Sequence, residues 1–249
     1  MKTQTVIRSL AIAGTMLLIA FAYSFTLQKE DSSIDSIKGN VTDDYPSVVI
    51  GSQEWMTENL NEDRFRNGET IPEVKSSSEW KKARDEKKPA WCYYDNDPAN
   101  GNIYGKLYNW YAVNDPRGLA PEGWHVPSDK EWTVLTTYLG GKEINDETEG
   151  GVTFWSTPSA GGKMKSTGTQ YWNSPNEEAT NSSGFSGLPG GGSGSDGVFG
   201  GVGNFGGWWS SSEYSTNFAW ARYLYSNGGR VVRGVTNEKD GLSVRCLRD

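Results

Sequence analysis

Apolar residues along this chain first run together, then vanish, then return in short periodic groups. Leu10–Ala22 is apolar, and Gln28–Asp44 is polar and charged, the pattern of a spacer. Val48-Val49-Ile50, the Gly51-Ser52 pair and Trp55 predict a strand or hairpin that opens the folded unit. Ser76-x-x-Glu79 has the form of a capping box, and the helix-permissive run behind it stops at Pro89. A firmer helix is predicted from Ser128, where Ser128-x-x-Glu131 repeats the box. Trp132, Leu135 and Leu139 then share one face, and Gly140-Gly141 ends the helix.

Lys163–Gly207 is dominated by Gly, Ser and Asn with scattered aromatics, which predicts a long irregular loop. Strand patterns follow at Trp208–Ser212, Asn217–Ser226, Arg230–Val235 and Gly241–Leu247, with a hairpin-type turn at Asn227-Gly228-Gly229. Alternation puts Phe218, Trp220, Arg222 and Leu224 on one face, taken as the core side, where Arg222 needs a buried acceptor. Asn217, Ala219, Ala221, Tyr223 and Tyr225 take the other face. The adjacent Trp208 and Trp209 must point to opposite sides, one to pin the loop and the other free to face solvent or ligand.

Composition changes this picture in two ways. Hydrophobic residues are only 35% of the chain while tryptophan numbers 11, so burial must lean on large rings. The net charge of −7 disfavours nucleic acid as a partner. Lys2 and Arg8, the apolar run and Ala20-Phe21-Ala22 together form the pattern of a signal peptide over residues 1–22, which predicts export to the periplasm, cell surface or medium. The alternative is an uncleaved membrane anchor over residues 9–28, the one route to a membrane partner. In either case residues 23–44 form a linker and 45–249 the folded domain. In an exported protein the two cysteines, Cys92 and Cys246, are expected to be bonded to each other; two buried free thiols are the alternative.

Five ordered stretches go further: YYDNDPANGNIYGKLYNWYAV (Tyr93–Val113), GWHVPSDKEW (Gly123–Trp132), GFSGLPGG (Gly184–Gly191), WWSSSE (Trp208–Glu213) and LSVRCLRD (Leu242–Asp249). Together they resemble the Fibrobacter succinogenes major paralogous domain, a family of bacterial exported proteins, over nearly all of residues 45–249. Through VPSDKEW and Arg245-Cys246 that family in turn resembles the C-type-lectin-like superfamily, which includes the sulfatase-modifying enzymes. The resemblance implies an α+β fold: a small twisted antiparallel sheet, two helices and a long Gly-rich loop region. Those enzymes carry a second cysteine where this chain has Gly241, so their copper-binding thiol pair is missing and their activity does not carry over.

The remaining chemistry is sparse. His125 is the single histidine, too little for a nucleophilic triad to be read from sequence or, with two distant cysteines, for a zinc signature. Asp95 and Asp97, in the oxygen-rich DNDPANGN, are the candidate calcium ligands, set against a simple turn; no other cofactor is expected. Aromatic faces suit sugars, and the expected ligand surface comprises Trp172, Trp209, Glu213, Tyr214, Asn217 and Tyr223. The expectation is a surface recognition or adhesion module whose partner is a glycan or a cell-surface protein, without established catalysis. A carbohydrate-active enzyme and a purely structural surface protein are the alternatives.

Overall fold

The computed structural model describes residues 45–144, 153–155 and 159–249; the expected signal peptide, anchor and linker lie outside these. Among the described residues no helix is long and apolar enough to cross a membrane. β1 (Ser47–Ile50) and β2 (Gln53–Met56) form the expected hairpin, turning through Gly51 at φ +64°. Helix α1 (Ser77–Asp85) is capped by Ser76, whose side chain accepts from the Glu79 N–H, and it buries a single anchor, Trp80. Next come β3 (Trp91–Cys92), α2 (Pro98–Tyr104), β4 (Leu107–Tyr108), α3 (Trp110–Val113) and β5 (Trp124–His125). Both halves of the expected capping box form at Ser128 and Glu131, starting α4 (Asp129–Tyr138), and Trp132 and Leu135 are fully buried beneath it. β6 (Glu143–Ile144), β7 (Thr153–Trp155) and α5 (Ser159–Met164) lead into the glycine-rich region.

That region departs from expectation. The second half of the run expected to be a loop contains β8 (Gly190–Ser193), β9 (Phe199–Val202) and the start of β10 (Phe205–Ser215). β8 is GGGS, buried at every residue. β11 (Phe218–Tyr225), β12 (Val232–Asn237) and β13 (Leu247–Arg248) complete the chain. One sheet has the order β6-β7-β12-β11-β10-β8-β9, a second β1-β2-β13-β5, and β3 pairs with β4. The α+β class stands, but the sheet is larger and the helices more numerous than the small sheet and two helices expected. Glycine is needed here for close approach: a Cβ on Gly206 would stand 2.5 Å from the Trp208 ring and 2.4 Å from the Leu188 carbonyl oxygen.

Trp208 and Trp209 point to opposite sides, as alternation requires, but neither is free. Both are 0% exposed because the centre of the sheet is buried on both faces. Trp209 joins Ala219, Ala221, Tyr108 and Trp124 in one cluster, while Trp208 joins Leu224, Trp55, Trp132 and Phe185 in another. Each indole N–H is satisfied: Trp208 donates to Asn59 Oδ1 at 2.8 Å and Trp209 to the Tyr108 carbonyl at 2.7 Å. The same double burial revises β11. Arg222 and Leu224 are buried as expected, but Phe218 is 39% exposed while Ala219 and Ala221, assigned to the outer face, are fully buried.

Arg222 finds its acceptor in Asp129, the first residue of α4, at 2.8 Å, and reaches Thr133 Oγ1 at 3.2 Å. Arg233 grips the same carboxylate with two hydrogen bonds, at 2.9 and 2.8 Å. Burial alone would raise the Asp129 pKa; the Arg233 hydrogen bond and the Arg222 charge and hydrogen bond outweigh it and hold the pKa below its ordinary value.

The expected disulfide is absent. Cys92 packs with Val74, Trp80, Ala90, Tyr94 and Leu107, whereas Cys246 lies in the Trp209 cluster with its carbonyl accepting from Met56 N–H. The chain's end docks on β2, not on β3, so the two thiols belong to different clusters. Burial pushes both thiol pKa values up.

Three outcomes are expected. Asp129→Ala, which removes the carboxylate shared by the Arg222 and Arg233 guanidinium groups, should cost about 3–5 kcal/mol in urea unfolding. Because the folded pKa of Asp129 is depressed, its stabilisation is present above the ordinary carboxyl range and is lost as pH falls through and below about 4, so Asp129→Asn should unfold with a shallower acid dependence. Thiol titration without reductant should find no reactive cysteine in the folded chain and both cysteines free in denaturant; a blocked pair in denaturant would contradict this packing.

Candidate functional site

Where β11 runs beyond the covered centre of the sheet, its alternation carries Tyr223 and Tyr225 on one face, about 6.7 Å apart as strand geometry sets i and i+2. In the antiparallel register Phe205 lies opposite Tyr225, and Gly207 opposite Tyr223. The three rings make a cluster: Phe205 meets Tyr223 edge-on at 5.9 Å, Tyr223 and Tyr225 stack at 6.3 Å, and Phe205 lies 6.0 Å from Tyr225. Tyr223 can lie down on the sheet because its neighbours lack side chains. A Cβ on Gly207 or Gly234 would come within 2.9 or 3.0 Å of its ring.

A cavity of about 400 Å³ opens over this surface. Phe205 and Tyr223 form one wall and the β8–β9 hairpin, through Gly192, Phe199, Gly200 and Gly201, forms the other. Thr236 and Asp240 supply its polar edge. The Tyr223 hydroxyl is hydrogen-bonded to Thr236 Oγ1, and burial raises the pKa of this phenol. Asp240 is placed by two backbone constraints. Its N–H donates to the Asn237 carbonyl at 2.9 Å, and the next residue, Gly241, exchanges hydrogen bonds with Ser193 of β8 at 2.7 and 2.9 Å. Burial lifts the Asp240 pKa to about 6; a backbone hydrogen bond from Ser195 opposes the rise and the nearby Asp196 charge adds to it. The cleft thus offers aromatic faces, a phenol–threonine hydroxyl pair and a carboxyl group that changes charge near pH 6.

The six expected ligand residues do not converge. Trp172 and Trp209 are core residues, 1% and 0% exposed; the Trp172 N–H is taken by Ser166 and the Gly187 carbonyl, both at 3.1 Å. They are corrected from ligand surface to scaffold: Trp209 lies at the centre of a sheet covered on both faces, and Trp172, in the segment after α5, packs into the cluster of Trp132, Phe185 and Trp208. Glu213, Tyr214 and Asn217 cluster at the β10–β11 turn, where Tyr214 rests edge-on against Trp220 at 4.8 Å and the Arg233 guanidinium covers that indole at 3.4 Å. Tyr223 alone of the six lines the cleft, on the opposite face of β11 from Trp220. Phe205, Thr236 and Asp240 were missed. The signal available was the Phe205–Tyr225 pairing, which becomes visible only when Asn217 is placed in the turn.

Of the other candidates, Asp97 and His125 have structural partners. Asp97 caps α2, its carboxylate accepting from the Ala99 N–H at 2.9 Å, and Asp95 is exposed. Among the described residues no three or more His, Cys, Asp or Glu side chains converge as metal ligands. Both ring nitrogens of His125 are engaged, Nδ1 with Asp249 at 2.7 Å and Nε2 with Glu131 at 3.1 Å. The Ser128 hydroxyl bonds to Glu131.

No curated protein and no solved structure matches the chain. A family model does match, over residues 48–248, a span that runs from the second residue of β1 to the end of β13 and holds the whole cleft. This chain therefore belongs to the Fibrobacter succinogenes major domain family.

Proposed function

We propose that this domain is an exported, C-type-lectin-like recognition module of the bacterial surface and that its cleft takes a carbohydrate ring. The observation that carries the reading is the juxtaposition of half-buried Phe205 and Tyr223 with the half-buried Asp240 carboxyl in one cavity. Sugars present an apolar face and a hydroxylated rim, so stacking supplies contact area and the carboxyl and hydroxyl groups orient the ring. Hydrolysis takes a pair of carboxylates flanking the scissile bond, whereas Asp240 is the one carboxylic acid lining this cleft among the described residues. Recognition is thus favoured over the enzyme reading. The resemblance of VPSDKEW and the Arg-Cys pair to the lectin-like superfamily agrees with it, and the signal-like N-terminus with export.

The test is a glycan array probed with the purified full-length chain and with Asp240→Asn. A charged carboxylate is the stronger acceptor for sugar hydroxyls, so binding should strengthen as pH rises through about 6. Asp240→Asn should flatten that profile and weaken binding about tenfold at pH 7.5, the loss of one hydrogen bond to a charged group. Its fold should be unharmed: an acid whose folded pKa is raised stabilises below its ordinary pKa and loses that contribution as pH rises through about 6, so the amide removes a penalty at pH 7.5. No glycan bound by the native chain, or binding indifferent to Asp240→Asn, overturns the proposal.

A further inference from the structure

A second cavity, about 350 Å³, adjoins the aromatic ridge at Tyr225 and shares no lining residue with the first. Tyr225 and Val232 of the sheet face form part of it, and Glu177, Glu178 and Arg230 bring charge to its walls. We infer that this cavity is a second sugar subsite and that the ligand is an oligosaccharide crossing the Phe205–Tyr223–Tyr225 ridge from one cavity to the other; this rests on the carbohydrate reading of the first cleft.

Geometry supports continuity. Val232 pairs with Tyr223 in the β11–β12 register, so the strand pair that holds Tyr223 at the first cavity also presents Val232 and Tyr225 to the second. The ring stack joining Tyr223 to Tyr225 makes one aromatic surface shared by both. A chain of stacked rings with polar groups at each end suits a polymer of repeating, amphipathic units better than a single ring.

The second cavity is also held rigid from behind. Lys165 is 0% exposed, and its ammonium donates to the carbonyls of Glu177, Tyr225 and Gly228 at 2.6, 2.9 and 2.9 Å. All three acceptors belong to residues that line the cavity. Burial of an ammonium is costly unless every donor is satisfied. Here it ties together three wall positions drawn from two segments of chain. Further ties run between Glu177 N–H and the Ser226 carbonyl at 2.7 Å, and between Gly162 N–H and the Gly229 carbonyl at 3.1 Å. Glu178 is held at φ +60°, a left-handed backbone that costs a side-chain-bearing residue energy and persists where surroundings impose it. With its walls fixed, the cavity gives up little entropy on binding.

The charge pattern sets the class. Two carboxylates accept hydrogen bonds from hydroxyl or amino groups, and one guanidinium donates. Among the side chains that line the cavity, carboxylates outnumber the guanidinium two to one, and the Lys165 ammonium behind the wall is occupied by backbone carbonyls, so the wall favours neutral and amino sugars over uronic acids.

The experiment is calorimetric titration of the full-length chain with β-glucan, mannan, xylan, chitin and galacturonan oligosaccharides from one to eight units. Affinity for one of the neutral or amino series should rise about tenfold or more between two and six units, as a second subsite engages at high effective concentration. Glu178→Gln should remove that gain while leaving disaccharide affinity within about twofold, since it lines the second cavity alone; Tyr225→Ala, which takes away a ring packed on Phe205 and Tyr223, should remove the gain as well. Glu178→Gln keeps the backbone and shape, so it reads the subsite even if loss of the Tyr225 ring disturbs its neighbours. Affinity that is flat with length, or a gain that survives both substitutions, overturns the second subsite and leaves the first standing. A preference for galacturonan overturns the assigned class. No binding at any length overturns both sites together.

Discussion

Two adjacent indoles in one strand impose the organisation of this fold. The pleat of β10 sends Trp208 and Trp209 to opposite faces, and each is too large to leave in water without sacrificing much of the burial available to an aliphatic-poor chain. The sheet centre must therefore be covered twice. On one side α4 and the β1–β2 hairpin bring Trp132 and Trp55; on the other, α3 and β4 bring Trp110 and Tyr108. The indole N–H groups sharpen the requirement, because each needs a buried acceptor in the covering layer. Asn59 Oδ1 serves Trp208 and also accepts from the buried Arg245 guanidinium at 2.7 and 3.1 Å, which locks the chain's end beside the same tryptophan.

The glycines follow from that constraint. Flat indole and phenol rings lying on a sheet need neighbours without side chains, and Gly206, Gly207 and Gly234 provide that room for Trp208 and Tyr223. Their entropic cost is offset by the ring contacts they permit. Glycine-rich sequence in this protein is thus packing material next to tryptophan, and the β8–β9 hairpin becomes a wall of the cleft because its backbone can approach the rings closely.

Double coverage also decides where function can sit. With the middle of β10 and β11 buried, the strands offer only their ends. At one end Tyr214, Trp220 and Arg233 form a stack braced by the Asp129 carboxylate, which spends its charge on two arginines and the start of α4. At the other, Phe205, Tyr223 and Tyr225 emerge beside two cavities. The buried charges divide in the same way: Asp129 is held ionised by its partners, while Asp240, short of cationic partners, has its pKa lifted into the range where its charge can respond to pH.

Local pattern was sufficient for much of this. The Ser128–Glu131 box, the Trp132–Leu135–Leu139 face, the hairpin at Gly51 and the opposed directions of Trp208 and Trp209 all depend on residues a few positions apart, and alternation was enough to require an acceptor for Arg222. What lies on the far side of each side chain was not legible, because it is set by residues distant in sequence. Trp209 is closed off by Tyr108, Trp208 by Asn59, and Arg222 by Asp129, separations of 101, 149 and 93 residues. The same reason separated Cys92 from Cys246, turned half of a glycine run into strands and split the expected ligand surface between two ends and two faces of β11. Periodicity tells which way a side chain points; only tertiary packing decides whether it meets solvent, a partner or a cleft.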